Sequence, residues 1–565
     1  MNKINIILLM VFASALASCG KNFLTEENPN LVTTGTYWKT AQDAERGLNA
    51  VYGALQLGGV SGEGAVFSGF VTSDEAMPNV MNGNFVETMD ALNYTADPRY
   101  IEAVWADMYT GVFRANQVIE KLPGISMNEN LKTRYIAEAR FLRGWFYFWL
   151  SNHFNKGAVI LHDKIPVSVE DYYKDVSSKE TIDAFIIDDL EFAQAHLPKV
   201  QEEKGRVTWG AATATLGKYY LYNKKWDRAA SYFKQIIDES EQNNLYALVN
   251  EYKWNFDEAH EFNSESIFEV SFSTKFKPGM NGGVNDGNDG SEATSVERNL
   301  APPAPQNGWR IIVPSYTTML TMMNDKMDPA DPKNIGRRYP LRATASIAIN
   351  NDDYGTFWGV KLPMAATGQK FVRFNQQSAG YIRKYTNWET REIVDVTNNR
   401  SGLNVRKIRL ADVFLMYAEA VLQNSGDMTA AIKYINKVRE RAAVLPVTAA
   451  EYPTPQSILN FLMYIERPCE LSFEGQAIRW HDLRRWGILG ARLKEVSEIP
   501  VFWNPANNVT PPRYTVPGDK NPDGSWRQPG NIKFCKQAAS GNYSTEKDYW
   551  PLPPSELLNN GSFLD

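Results

Sequence analysis

The sequence predicts a mainly α-helical protein, a scaffold of stacked helical hairpins decorated by long loops. Three observations predict it. Apolar residues recur at steps of three and four through the first half, which is the period of a helix face. Two segments far apart share one set of small and aromatic residues at the same offsets. Between and after them run stretches rich in Gly, Pro, Asn and Ser with no helical period.

The first helix is expected at Thr40-Ala41-Gln42-Asp43, a capping box. Ala41, Ala44, Leu48, Val51, Tyr52 and Leu55 then make one apolar face. Glycines at 58, 59, 62 and 64 are read as ending that helix in a loop. Further helices are expected near Tyr100–Leu122, stopped by Pro123-Gly124, near Leu131–Phe154, and over Thr181–Leu197 before Pro198.

The repeat signal lies in residues 210–240, where Leu216-Gly217 and Tyr220 are followed by Ala229 and Phe233. These offsets match the tetratricopeptide pattern, in which small residues let two antiparallel helices approach and an aromatic fills the gap. Tyr417-Ala418 with Ala430 and Tyr434 repeats it without the Gly. The fold class is therefore a tetratricopeptide-like helical-hairpin scaffold with long loops at 275–308, 330–405 and 495–550.

Composition narrows the function. The 565 residues are 43% apolar and 22% charged, ordinary for a folded protein. Net charge is -6 and no Lys/Arg-rich run stands out, so nucleic acid is not an expected partner. Aromatics reach 12%, with 15 Trp and 27 Tyr. Most of these rings are expected in the helical core, and the excess to serve binding.

The N-terminus carries a processing signal. After Lys3, the segment Ile4–Ala17 has only Asn5 and Ser14 as polar members, too short for a permanent membrane span. Leu16-Ala17-Ser18-Cys19 resembles the bacterial lipobox, whose Cys is lipidated and becomes the new N-terminus. Residues 1–18 are thus read as a lipoprotein signal peptide and 19–35 as lipidated Cys19 and a tether. Gly20 stands where an Asp would resemble an inner-membrane retention signal. Glu26-Glu27 resembles the acidic surface-export signal of Bacteroidetes lipoproteins. The other cysteines, Cys469 and Cys535, could form one disulfide and are expected as two buried thiols.

Catalytic signatures fail on inspection. The five His (153, 162, 196, 260 and 481) include no helical metal pair. His260-Glu261 begins like a zinc-protease motif, but Ser264 stands at the second His position. Gly59-Val60-Ser61-Gly62 begins like a nucleophile elbow, but Glu63 replaces the last Gly. There is no phosphate loop, and residues 285–290 lack the spacing and closing Glu of a calcium loop. Asp74-Glu75 and Asp188-Asp189 are adjacent carboxylates, which rarely face one another. No catalytic residue, metal ligand or cofactor is expected.

Several segments together resemble the SusD/RagB nutrient-uptake lipoproteins of Bacteroidetes. They are Thr36-Tyr37-Trp38 with Ala44 to Tyr52, Ser73-Asp74-Glu75, Trp105 with Tyr109, Arg114-Ala115-Asn116, and Glu138 to Arg143. Later come Arg409 to Ala420, Ile465-Glu466-Arg467 with Glu470-Leu471, Phe473-Glu474-Gly475, Arg479 to Trp486, and Trp550-Pro551-Leu552-Pro553. They stand in family order along nearly the whole chain; Pro468-Cys469 departs from the usual polar or small residues. The resemblance implies an N-terminal SusD-like helical domain over 36–245 and a C-terminal RagB/SusD domain over 246–565. It implies a surface lipoprotein of the outer membrane that binds a glycan and delivers it to a SusC-like TonB-dependent transporter. The alternatives are a peptide-capturing RagB-type protein and, third, a surface glycoside hydrolase.

From the residues alone, the buried charges of these motifs are scaffold. Arg409, Glu419, Glu466 and Arg467 are expected to pair across helices, and His481-Asp482 to be structural. The ligand site is expected on the loops, where sugars need exposed aromatic planes beside amide and charged side chains. Two regions have that mixture. One is 77–94, with Met77, Asn79, Asn82, Asn84, Phe85 and Tyr94. The other is 307–388, with Trp309, Tyr316, Tyr354, Phe357, Trp358, Asn387 and Trp388. Tyr354, Phe357 and Trp358 rank first, because they sit in a polar segment broken by Gly355 and Gly359. Trp309 is read as structural.

Overall fold

The computed structural model describes residues 37–79, 84–276, 292–301, 308–349, 356–357, 360–361, 380–387, 394–395, 400–503, 514–515, 522–523, 525 and 532–560. Helix α1 (Ala41–Ala54) begins at the expected capping box: Asp43 N donates to Thr40 Oγ1 at 3.2 Å, and Thr40 N donates to Asp43 Oδ2 at 2.9 Å. Such a cap contributes about 1 kcal/mol. Ala44, Leu48 and Val51 are buried along one face, as the period requires.

The glycines that follow correct the loop expectation. Gly58–Ser61 is a short helix, α2, and Glu63–Val71 a longer one, α3. Strand β1 (Ala76–Pro78) follows, and then the long helix α4 (Arg99–Lys121). A Cβ on Gly59 would stand 2.3 Å from the carbonyl oxygen of Ala103 in α4. Gly59 is there because the two helices meet backbone to backbone, a reason that no local pattern reveals.

Helices α4, α5 (Glu129–His153) and α6 (Lys179–His196) lie where the period placed them. The repeat pairs are α7 (Trp209–Tyr222) with α8 (Trp226–Asn243), and, later in the chain, Leu410–Ser425 with Met428–Arg441. In the first pair, a Cβ on Gly217 would lie 2.5 Å from Phe233 Cε1, which is the close packing the motif specifies. In the second, Tyr434 packs on Phe414 and Tyr417, with ring centroids 5.3 and 5.2 Å apart. Helix α8 packs directly against Leu410–Ser425, so the two pairs stack although the loops separate them in sequence. Each helix from α4 to α8 also packs on its predecessor. The tetratricopeptide-like scaffold is therefore the observed fold.

Short strands tie the loops to this scaffold. Strand β2 (Ser266–Val270) pairs antiparallel with Val405–Arg409. Strand β3 (Ile312–Pro314) pairs with β1 and leads into helix α9 (Tyr316–Met323). Strand β4 (Ile347–Ile349) pairs with β5 (Gly380–Ile382). The strand Val405–Arg409 is β6, and the repeat helices after it are α10 and α11. Cys469 and Cys535 are free and buried, one beside the Thr321 carbonyl and the other beside the Thr317 hydroxyl of α9.

The family-like charges form a buried network, pairing with one another and with charges elsewhere in the chain. Arg409 reaches Glu474 at 2.7 Å, Glu265 at 2.7 Å and Glu470 at 2.6 Å. Glu466 pairs with Arg342 at 2.7 Å and Arg439 at 2.6 Å. Arg467 pairs with Asp412 at 3.0 Å and Asp482 at 2.6 Å, and Glu419 pairs with Arg485. Asp482 thus belongs to arginines, not to His481. Burial pushes the Glu470 carboxyl up, but Arg441, Arg409 and Arg342 outweigh it and hold it at about 2.

His481 instead joins an aromatic cluster that closes the molecule. Its ring lies 4.8 Å from that of His153, and His153 lies 4.7 Å from Trp550. Trp550 stacks on Trp480 at 5.0 Å, and its backbone N–H donates to His153 O at 2.8 Å, locking the chain end onto α5. Burial pushes His153 down to about 3, with Arg484 adding to it against the hydrogen bond to Trp149 O. An unfolded His titrates near 6.5, so between pH 6.5 and 3 the unfolded chain binds the extra proton. The stability His153 provides is full above pH 6.5 and is lost as pH falls. From pH 7 to 5 the cost is about 2 kcal/mol. His153→Phe is expected to remove that share of the pH dependence, read as a smaller drop in urea midpoint between pH 7 and 5. An unchanged drop would show that His153 does not titrate on unfolding.

Candidate functional site

The two regions expected to bind ligand share one root. Strand β1, which opens 77–94, pairs with β3 in the register Ala76↔Pro314, Met77↔Val313 and Pro78↔Ile312. Asn79 N continues the ladder to Ile311 O at 2.9 Å. Strand β3 packs beside β5, and β4 and β5 flank residues 350–379 in sequence. Segments more than 200 residues apart in sequence thus leave from one cluster of strands, the juxtaposition a multi-loop site needs.

That cluster is clamped from below by the C-terminal motifs. Arg479 grips Asp74 with Nε at 2.7 Å and Nη2 at 2.8 Å, and Arg492 adds Nε at 2.7 Å. Burial pushes Asp74 up, but these guanidiniums prevail and hold it well below the usual carboxylate range. Ser315 N donates to Glu75 O at 2.9 Å, and Phe473 N donates to Glu75 Oε2 at 3.0 Å. Burial, reinforced by Asp74, pushes Glu75 up to about 8 against the pull of that N–H, leaving it protonated at neutral pH. Asp74-Glu75 therefore fixes the loop roots and faces no solvent. Asp189, of the other pair, lies between Arg140 and Arg143 at 2.7 and 2.8 Å. Neither pair is placed as an acid and base across an open cleft.

The individual residues fall into three groups. Cys19, Asn82, Tyr354, Trp358 and Trp388 lie outside the described residues. Phe357 is on a short strand, Thr356–Phe357, opposite Val360, and Phe85 is in the helix Asn84–Asp90. Asn79 and Asn387 are buried, at 4% and 1% exposure. Asn387 has a positive φ of 47°, a backbone state that Asn tolerates better than most residues, so its place in the turn has a conformational reason. Tyr94 and Tyr316 are buried as well, Tyr94 donating to Lys547 O at 2.9 Å.

Trp309 is held by its backbone, in keeping with a structural role. Its N–H donates to Arg298 O at 2.7 Å, which fixes the backbone on the helix Val296–Leu300. The residue is nevertheless 43% exposed, more than any other Trp among the described residues. The Arg298 guanidinium lies 4.7 Å from the ring centroid and holds the indole plane. The signal for it was present in the polar, Pro-rich stretch before Gly308-Trp309. Among the described residues no group of three or more His, Cys, Asp or Glu is arranged to hold a metal ion, and no helix is long and apolar enough to cross a membrane.

Comparison with known proteins agrees with the sequence landmarks. A family model described as the SusD family matches residues 265–563, and one described as starch-binding associating with outer membrane matches 22–221. A SusD-like protein, P25, of Formosa agariphila is 26% identical over 541 residues, covering 91% of this chain and 95% of its own. The crystal structure of a SusD superfamily protein from Bacteroides vulgatus superposes with a TM-score of 0.72 at 24% identity, covering 93% of this chain and 98% of that one. A laminarin binding SusD-like protein superposes with a TM-score of 0.63 at 26% identity, covering 81% and 94%. The helical-hairpin scaffold, the clamped Asp74-Glu75 landmark and a family model spanning more than half the sequence lead to one assignment: the chain belongs to the SusD family.

Proposed function

We propose that the protein is a cell-surface lipoprotein that captures a glycan and passes it to a SusC-like TonB-dependent transporter in the outer membrane, without cleaving it. The observation that carries this reading is the convergence of the aromatic-rich loop regions on one clamped strand cluster, in a family that one matching model describes as starch-binding. A relative at 26% identity is described as laminarin binding, which supports a saccharide as the cargo. The residues proposed for the contact are Trp358, Tyr354, Trp388 and Phe357, joined by Trp309. Binding needs exposed rings and hydrogen-bonding side chains; it needs no nucleophile, metal or cofactor.

The proposal separates anchor from site. Cys19 carries the lipid, and each buried methylene of an acyl chain contributes about 0.8 kcal/mol of attachment. Cys19→Ala is expected to move the protein from the outer-membrane fraction to the soluble fraction and to leave polysaccharides intact on incubation. Retention in the membrane pellet would refute the anchor, and accumulation of new reducing ends would refute the non-catalytic reading.

A further inference from the structure

A groove of about 740 Å³ runs along helix α4 and shares no residue with β1, β3, β4 or β5. Its walls come from α4, from residues 160–173 and from the C-terminal helix Pro554–Asn559. We propose that this groove is a second saccharide-binding site, for a short neutral oligosaccharide.

The floor is built before any ligand arrives. Trp105 Nε1 donates to Glu556 Oε2 at 3.1 Å, and Tyr109 OH donates to Ile160 O at 2.7 Å. Asn560 Nδ2 donates to Lys174 O at 3.0 Å and staples the C-terminal helix to the facing segment. A site with ordered walls loses less conformational freedom on binding. The volume is in the range of small-ligand sites.

The rings supply the sugar chemistry. Tyr172 and Tyr173 are 54% and 45% exposed on one turn, and Phe113 is 37% exposed on α4. The turn is fixed by Asp171, whose Oδ2 accepts from Val167 N at 2.9 Å and Ser168 N at 3.0 Å. Exposed aromatic faces held in place suit the C–H faces of a pyranose. Around them Ser555, Asn559 and Thr110 offer hydroxyls and an amide to sugar hydroxyls.

Charge sets the class. Glu102, Asp107 and Glu556 line the groove against one ammonium, Lys164. His162 adds no charge at neutral pH, because burial and Lys174 push it down to about 4. A sulfated or uronic-acid chain would enter a field of its own sign, and a neutral saccharide would not.

This inference rests on the reading of the protein as a saccharide binder, and one experiment keeps the two apart. Hydrogen exchange of the full-length Cys19→Ala chain is followed with laminarihexaose, maltohexaose, a sulfated hexasaccharide and hexalysine as probes. The expected result is that a neutral hexasaccharide protects residues 160–175 and 554–560. Tyr172→Ala/Tyr173→Ala should abolish that protection at the same probe concentration, with affinity for the groove falling about tenfold per ring, while the unfolding temperature stays unchanged. Protection of 76–79 and 309–314 alone would overturn the second site and leave the proposed function standing. Protection of 160–175 by hexalysine or the sulfated probe alone, or by none of the four, would overturn the second site too.

Discussion

Arg409→Met is expected to destabilise the protein by about 3–5 kcal/mol, the cost of breaking a buried charge network from one side. Methionine keeps much of the length and removes the guanidinium that reaches Glu474, Glu265 and Glu470 together. Arg441 remains on Glu265 and Glu470, and Lys384 on Glu474 at 2.7 Å, but the three carboxylates lose their shared cation. Glu470 also links the network to pH. Its contribution is present above its unfolded value near 4.5 and is lost as pH falls toward 2. A control separates buried from surface pairing: Lys156 and Glu546, both largely exposed, pair at 2.9 Å, and Lys156→Met should cost no more than about 1 kcal/mol. Urea unfolding at pH 7 measures both. Equal midpoints for the two variants would mean that the network does not organise the core.

Trp358→Ala is expected to weaken glycan binding about thirtyfold, or about 2 kcal/mol, with little change in unfolding temperature. The motive is sequence context. Trp358 falls between two short strands, Thr356–Phe357 and Val360–Lys361, that pair antiparallel, in a polar stretch beside Gly359 where a core role is hard to build. Stacking on a sugar face contributes roughly 0.5–1.5 kcal/mol beyond the buried area. A core Trp would behave in the opposite way, losing about 3–5 kcal/mol of stability when truncated. Calorimetric titration and thermal unfolding of one variant decide between them. A folded variant with unchanged affinity removes Trp358 from the site and shifts attention to Trp309 and residues 77–94.

Much of the scaffold was legible because its determinants are local. The cap at Thr40 and the period of α4 to α6 act within one helix. The repeat at Gly217 and Phe233 acts within one hairpin. What local patterns did not reveal depends on distant contacts. Gly59 reads as a breaker until Ala103 stands against it, and the partners of Arg409 come from Glu265, Glu470 and Glu474, in other parts of the chain.

The candidate site was legible only as regions. Pairing of β1 with β3 brings them together, but polarity did not separate buried Asn79 and Asn387 from exposed positions, because Asn serves turns as readily as ligands. Trp309 shows that one residue can carry both features: its backbone is structural while its side chain is partly exposed. The Tyr172-Tyr173 groove had no signal at all, since its walls are drawn from three separated segments.

The central claim is that this chain holds a glycan and releases it uncut. The most direct measurement is calorimetric titration of the soluble Cys19→Ala chain with a panel of neutral oligosaccharides, followed by chromatography of the recovered ligand. The account predicts saturable binding of at least one saccharide, with the ligand recovered at its original length. Binding of a peptide but of no saccharide, or recovery of shortened chains, would contradict it.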